Sequence, residues 1–165
     1  MNNTAKVYLR RICVVRLGAV GGIKTETAKK AFELGFDYSF ENEGIVFSGI
    51  SLETDMVIDE PTSNGRFQDF LGNTAEELER WRMFGSQFAE FCLSYPDKLR
   101  KNSHGATFFL LTRKDEPVAV DLSNVFVARV GVGFGQLGAG LHYFAHDQAV
   151  WNVKYKHRIV SPATT

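Results

Sequence analysis

The chain has 165 residues, 44% of them apolar and 13% aromatic, enough to bury a core without disulfides or a structural metal. Its 19 basic and 19 acidic side chains cancel, so the total charge does not point to nucleic acid as a partner, because such binding calls for a basic footprint. Two cysteines make no disulfide framework, no apolar run approaches the roughly 20 residues of a membrane span, and the start "MNNTAKVYLRR" lacks the apolar region of a secretory signal, so a soluble cytoplasmic protein is expected.

The cancelling charges are segregated along the chain. Residues 1–30 sum to +6, residues 31–65 to −8 with no Lys or Arg, residues 66–96 to −2 and residues 97–165 to +4. Segregation of this kind can create local fields that a neutral total hides.

In chain order, "KVYLRRICVVRL" (6–17) reads as a strand with Arg10, Arg11 and Arg16 on a wet face. A glycine loop follows, and then a short helix over about 25–34, capped by Thr25 or Thr27 and stopped by Gly35. Between 36 and 60, apolar and polar residues alternate around a turn at "NEG". This predicts a β-hairpin with Ile45, Phe47, Ile50, Leu52, Met56 and Ile58 on its inner face and the acids on its outer face. Thr74 and Glu77 form a capping box, and the seam Leu78, Trp81, Gly85, Phe88, Cys92, Tyr95 predicts one long helix over about 74–95, closed by Pro96.

From residue 105 onward the period falls to two. "ATFFLLT", "VAVDLSNVFVARV", "LHYFA" and "VWNVKYKHRIV" read as strands, and the Gly-rich stretch 131–140 as a hairpin connection or binding loop. No repeat or linker divides the chain. The expected fold is therefore a single α+β domain over 1–165, a mostly antiparallel sheet packed on one long and one short helix.

Several stretches carry candidate chemistry. "GAVGGIKT" (18–25) matches a phosphate-binding loop at all but one fixed position. Gly18, Gly21 and Gly22 would offer amides, Lys24 charge and Thr25 a magnesium ligand. Ile23 stands where the motif has Gly, and a β-branched side chain crowds such a loop. "GFGQLG" (133–138) fits a dinucleotide glycine pattern, but neither a helix nor a later acid follows it. His142 and His146 share a helical spacing, yet in a strand they lie about 13 Å apart, too far to chelate one ion. Cys92, His104 and Asp121 could form a thiol-hydrolase set, although Cys92 falls near a helix C-terminus, where the dipole opposes a thiolate.

No cofactor and no metal is expected, and no catalytic set passes its own geometric test. The function this leaves is binding without catalysis, through a protein–protein interface, as an inhibitor, immunity or accessory factor of bacterial or mobile-element type. The candidate docking residues are the acids Asp37, Glu41, Glu43, Glu53, Asp55, Asp59 and Glu60, suited to a partner with a basic surface. A simpler role for these acids is a solvated face offset by the basic N-terminal segment. A nucleotide-binding protein and a Cys/His/Asp hydrolase are the alternatives, and the unpaired edges of an antiparallel sheet leave a homodimer open.

Overall fold

Seven strands join into one sheet in the computed structural model, which describes residues 9–37, 39–102, 104–118 and 122–163. They are β1 (Leu9–Leu17), β2 (Thr54–Pro61), β3 (Arg82–Met83), β4 (Ala106–Thr112), β5 (Val125–Gly133), β6 (Gln136–Tyr143) and β7 (Arg158–Pro162). The spatial order is β1-β2-β7-β4-β5-β6, with β3 pairing β4 beside this path. Neighbours are antiparallel except β4 with β7 and β3 with β4, which run parallel. The fold is thus mixed α and β as expected, and its sheet is larger than the sequence pattern implied.

The helices are α1 (Thr25–Lys29), α2 (Ser39–Asn42), α3 (Phe67–Leu71), α4 (Ala75–Glu79) and α5 (Gly85–Ser94). Both faces of the sheet are covered. The first face carries Met56, Ile58, Phe109, Phe126 and Val160 against α1, α2 and α5. Phe88 of α5 lies there among Phe32, Phe36, Phe40 and Phe47, with ring centroids 5.9–6.5 Å from its own, and meets Phe109 edge-on at 4.9 Å. The second face carries Phe108, Leu110, Val127 and Ile159 against Phe67, Phe70, Leu71 and Leu78 of α3 and α4.

The expected helix over 74–95 is two helices joined by a strand. Its capping box forms as expected: the Glu77 amide donates to Thr74 Oγ1 at 3.2 Å and the Thr74 amide to Glu77 Oε2 at 3.1 Å. After α4 the chain extends through β3, and a second start follows, with the Phe84 amide donating to Gln87 Oε1 at 2.8 Å and the Gly85 amide to Asp115 Oδ1 at 2.8 Å. Gly85 is required at that start because a Cβ there would stand 2.0 Å from the Val46 carbonyl oxygen. The apolar seam is real but serves both faces: Leu78 and Trp81 pack on the second, Phe88, Cys92 and Tyr95 on the first.

The expected hairpin over 36–60 does not form. Asp37 Oδ1 accepts the Ser39 amide at 3.0 Å and starts α2, which turns out again at Gly44, whose φ is +71. Phe36 and Phe40 stand four apart, which suits a helical turn as well as it suits alternation. Only the second half of the segment is a strand, β2, and it pairs with β1 and β7. Ile45, Phe47, Met56 and Ile58 are buried as expected, whereas Ile50 and Leu52 are 82% and 83% exposed.

Two later readings also change. β5 and β6 continue through the Gly-rich stretch and meet in a two-residue turn, Phe134-Gly135, with φ of +51 and +77, the positive pair of a type I′ hairpin. The last strand begins only at Arg158, because residues 153–155 form a 3-10 turn and Lys156 takes a left-handed φ of +51.

Candidate functional site

β1 is an outer strand of the sheet, and its three arginines face the acids of β2 and the segment before it. Arg10 meets Glu60 at 2.9 Å, Arg11 meets Asp59 at 3.6 Å, and Arg16 reaches both Glu53 and Asp55 at 3.2 Å. The cross-strand register sets these pairs, with Arg10 opposite Glu60, Arg11 opposite Asp59 and Arg16 opposite Asp55. A bulge between Arg11 and Cys13 puts Leu9 against the second face and Cys13, Val15 and Leu17 against the first.

The remaining acids lie elsewhere. Glu41 on α2 pairs with Lys29 at 3.6 Å. Glu43 is drawn inward: Arg113 donates to Oε2 at 2.7 Å and Tyr143 donates its hydroxyl to Oε1. Asp37 caps α2 from an exposed position. The structure therefore gathers Glu53, Asp55, Asp59 and Glu60 on β2 and its approach, and separates them from Asp37, Glu41 and Glu43. One arginine serves both Glu53 and Asp55, whose side chains remain 58% and 46% exposed, so this corner keeps an excess of negative charge.

Beside this row lies a cleft of about 790 Å³ that sequence patterns did not reveal. Its floor is the second face of β1, β2 and β7, and its far wall is α3, α4 and the loop between them. Asp59, Arg11, Arg66, Arg80, Gln68 and Trp81 are among its lining residues. Asp59 is buried, and loss of hydration raises its carboxyl above the ordinary range, opposed by the Arg11 guanidinium. The site therefore presents a buried carboxyl, guanidinium groups and an indole to a group placed in the cleft. Its lining comes from four separate stretches of chain, so no local motif announces it. The only sequence signal was Asp59 following the apolar run Met56, Val57 and Ile58.

The glycine loop turns its polar groups inward. The Val20 amide donates to Ser51 O at 2.9 Å and the Gly22 amide to Ser48 O at 3.2 Å. Lys24 and Thr25 open α1, where the Thr27 and Ala28 amides both donate to the Lys24 carbonyl, and Gly18 stands clear of neighbours.

Cys92 is buried in α5, and burial raises its thiol well above the ordinary value. His104 is exposed and leans on Tyr155 at 5.0 Å, while Asp121 lies outside the described residues. His142 sits in β6 with Nδ1 3.4 Å from Asp147, and His146 lies beyond the strand, so the two do not stand on one helix face. Among the described residues, no group of three or more His, Cys, Asp or Glu side chains converges on a point. No helix among them is long and apolar enough to cross a membrane.

No family model, curated protein or solved structure matches this chain.

Proposed function

We propose that this chain is a binding protein that acts through a protein–protein interface, of the inhibitor, immunity or accessory kind, and that the interface lies on the β1–β2 end of the sheet. One observation carries the reading. Ile50 and Leu52 are more than four-fifths exposed on a segment that Ser51 ties to Val20, just past the end of β1. Aliphatic side chains so exposed, beside the charged corner of Arg16, Glu53 and Asp55, have the make-up of an interface: apolar contacts with a charged rim. Val14, 47% exposed on β1, extends the apolar part toward the cleft, which can receive a partner side chain.

The partner this surface fits has a basic patch around an apolar depression. The surplus carboxylate beside Arg16 would speed encounter, and Ile50 and Leu52 would hold the complex together. The test is affinity capture from the native host's lysate at low and high salt, with Ile50→Asp/Leu52→Asp run beside the wild type. A stoichiometric protein held by the wild type, weakened by salt and missing from the double variant, supports the interface. The same proteins on both columns would sink it.

A further inference from the structure

The C-terminal part of the chain, from residue 98 onward, builds a second charged surface, opposite in sign to the first. Two segments meet there, 98–104 and 152–158. Arg158 donates to the Lys98 carbonyl, Arg100 donates to the Tyr155 carbonyl at 3.4 Å, and His104 packs on Tyr155. At the base, the Ala106 amide donates to Nδ1 of the buried His157 at 3.1 Å. Pairing of Thr107 in β4 with Arg158 in β7 fixes the two segments side by side.

The segments bring six Lys and Arg side chains together. Lys98 meets Asp97 at 3.3 Å, and the other five have no acidic partner among the described residues. This contrasts with the β1 arginines, each of which faces an acid. Lys101, Lys154 and Lys156 are exposed. The Nε groups of Arg100 and Arg158 and Nε2 of His157 are buried donors with no partner among the described residues. Nε2 is a donor because Nδ1 accepts a hydrogen bond.

Aromatic rings stand among these cations. Lys154 Nζ lies 4.9 Å from the centroid of Tyr155, and His104, on the solvent side, continues the stack. Unpartnered cations with flat rings between them match a flexible polyanion whose repeating unit alternates a phosphate with a planar base. We propose that this face binds single-stranded nucleic acid, with Lys101, Lys154 and Lys156 meeting phosphates and a base stacking on His104. A neutral chain total argues against such a partner only if charge is evenly mixed, and the fold separates it.

The test is fluorescence anisotropy with a labelled single strand of about 12 nucleotides, titrated at about 50 and 200 mM salt. The wild type is expected to bind at low salt and to weaken steeply at high salt. Lys101→Glu/Lys156→Glu, at exposed positions, is expected to bind at least about tenfold more weakly and to flatten the logarithmic salt slope by about 1.4. His104→Ala should weaken binding and keep the salt slope set by the lysines, because it removes a stacking ring and leaves Lys101, Lys154 and Lys156 in place. Absence of binding at low salt, binding insensitive to salt, or full affinity in the double-charge variant would overturn the proposal. Equal affinity for duplex DNA or for anionic lipid vesicles would overturn the single-strand assignment. Protein capture through Ile50 and Leu52 is read separately, and the lysine variants should leave it intact.

Discussion

The carboxylate of Asp59 lies 3.6 Å from Nε of Arg11, yet the two side chains live in different solvents, one 9% and the other 63% exposed. The acid has lost its water and gained only a solvent-screened counter-charge. Its carboxyl is accordingly raised, with burial the larger influence.

In the folded protein this acid holds its proton to higher pH than in the unfolded chain. Its contribution is therefore complete below the unfolded value of 3.8 and fades as pH rises through the raised folded value. Asp59→Asn should raise the urea midpoint at neutral pH, with the gain shrinking toward the acid end. Arg11→Ala should have the opposite effect at neutral pH, since the buried charge then has no partner. Urea unfolding of both variants across the acid range checks the two signs.

His157 has the opposite linkage. Burial, with Arg129 and Arg100 adding repulsion, lowers its imidazole from 6.5 to about 4. The unfolded chain takes up the proton first, so stability drops as pH falls from 6.5 toward 4, by roughly 3 kcal/mol if the whole shift is realised. His157→Gln should remove most of this acid sensitivity while weakening the protein at neutral pH through the lost Ala106 hydrogen bond. Unfolding free energies measured at about pH 7 and 4.5 decide it. A wild-type stability flat across that interval would refute the assignment.

The hairpin turn joining β5 and β6 places Phe134 at a φ of +51 with its ring wholly in water. A phenylalanine there has backbone strain and no burial to offset it. Phe134→Asn should stabilise the protein by about 0.5–1 kcal/mol, and Gly135→Ala should destabilise it by about 1 kcal/mol. Thermal unfolding of the two variants is enough. A large loss of stability in Phe134→Asn would mean that the ring makes a contact the fold does not show.

Cys92 is sealed inside α5 with its thiol held in the neutral form. It should resist a thiol reagent until the protein unfolds, whereas the half-buried Cys13 on β1 should react in the native state. Cys92→Ser should cost about 1–3 kcal/mol, from a hydroxyl placed in the apolar core. Rapid labelling of Cys92 in the native protein would count against this and reopen the hydrolase reading.

The strand that is apolar throughout was legible in the sequence, whereas alternation misled at 153–155, which form a 3-10 turn. "ATFFLLT" is β4 residue for residue, and the Thr74–Glu77 box lies at the start of α4. Two misreadings share one cause, an apolar period that fits two partners. Phe36 and Phe40 satisfy an alternating strand and a helical turn alike, and Asp37 as a cap decides for the turn. Leu78 to Tyr95 keeps helical spacing across a break, because each half independently needs an apolar stripe. The cleft around Asp59 and the basic face of 98–104 and 152–158 were not legible, since each joins segments that only the strand order brings together.

β3 is only two residues long, yet it carries the backbone from one side of the sheet to the other. Trp81 belongs to the second core and Met83 to the first, with Arg82 paired to Leu110 between them. A chain threaded in this way ties the two cores into one cooperative unit. The α3–α4 layer cannot peel away without pulling on the start of α5, so the amides of both layers should exchange with solvent at a shared rate, set by global opening.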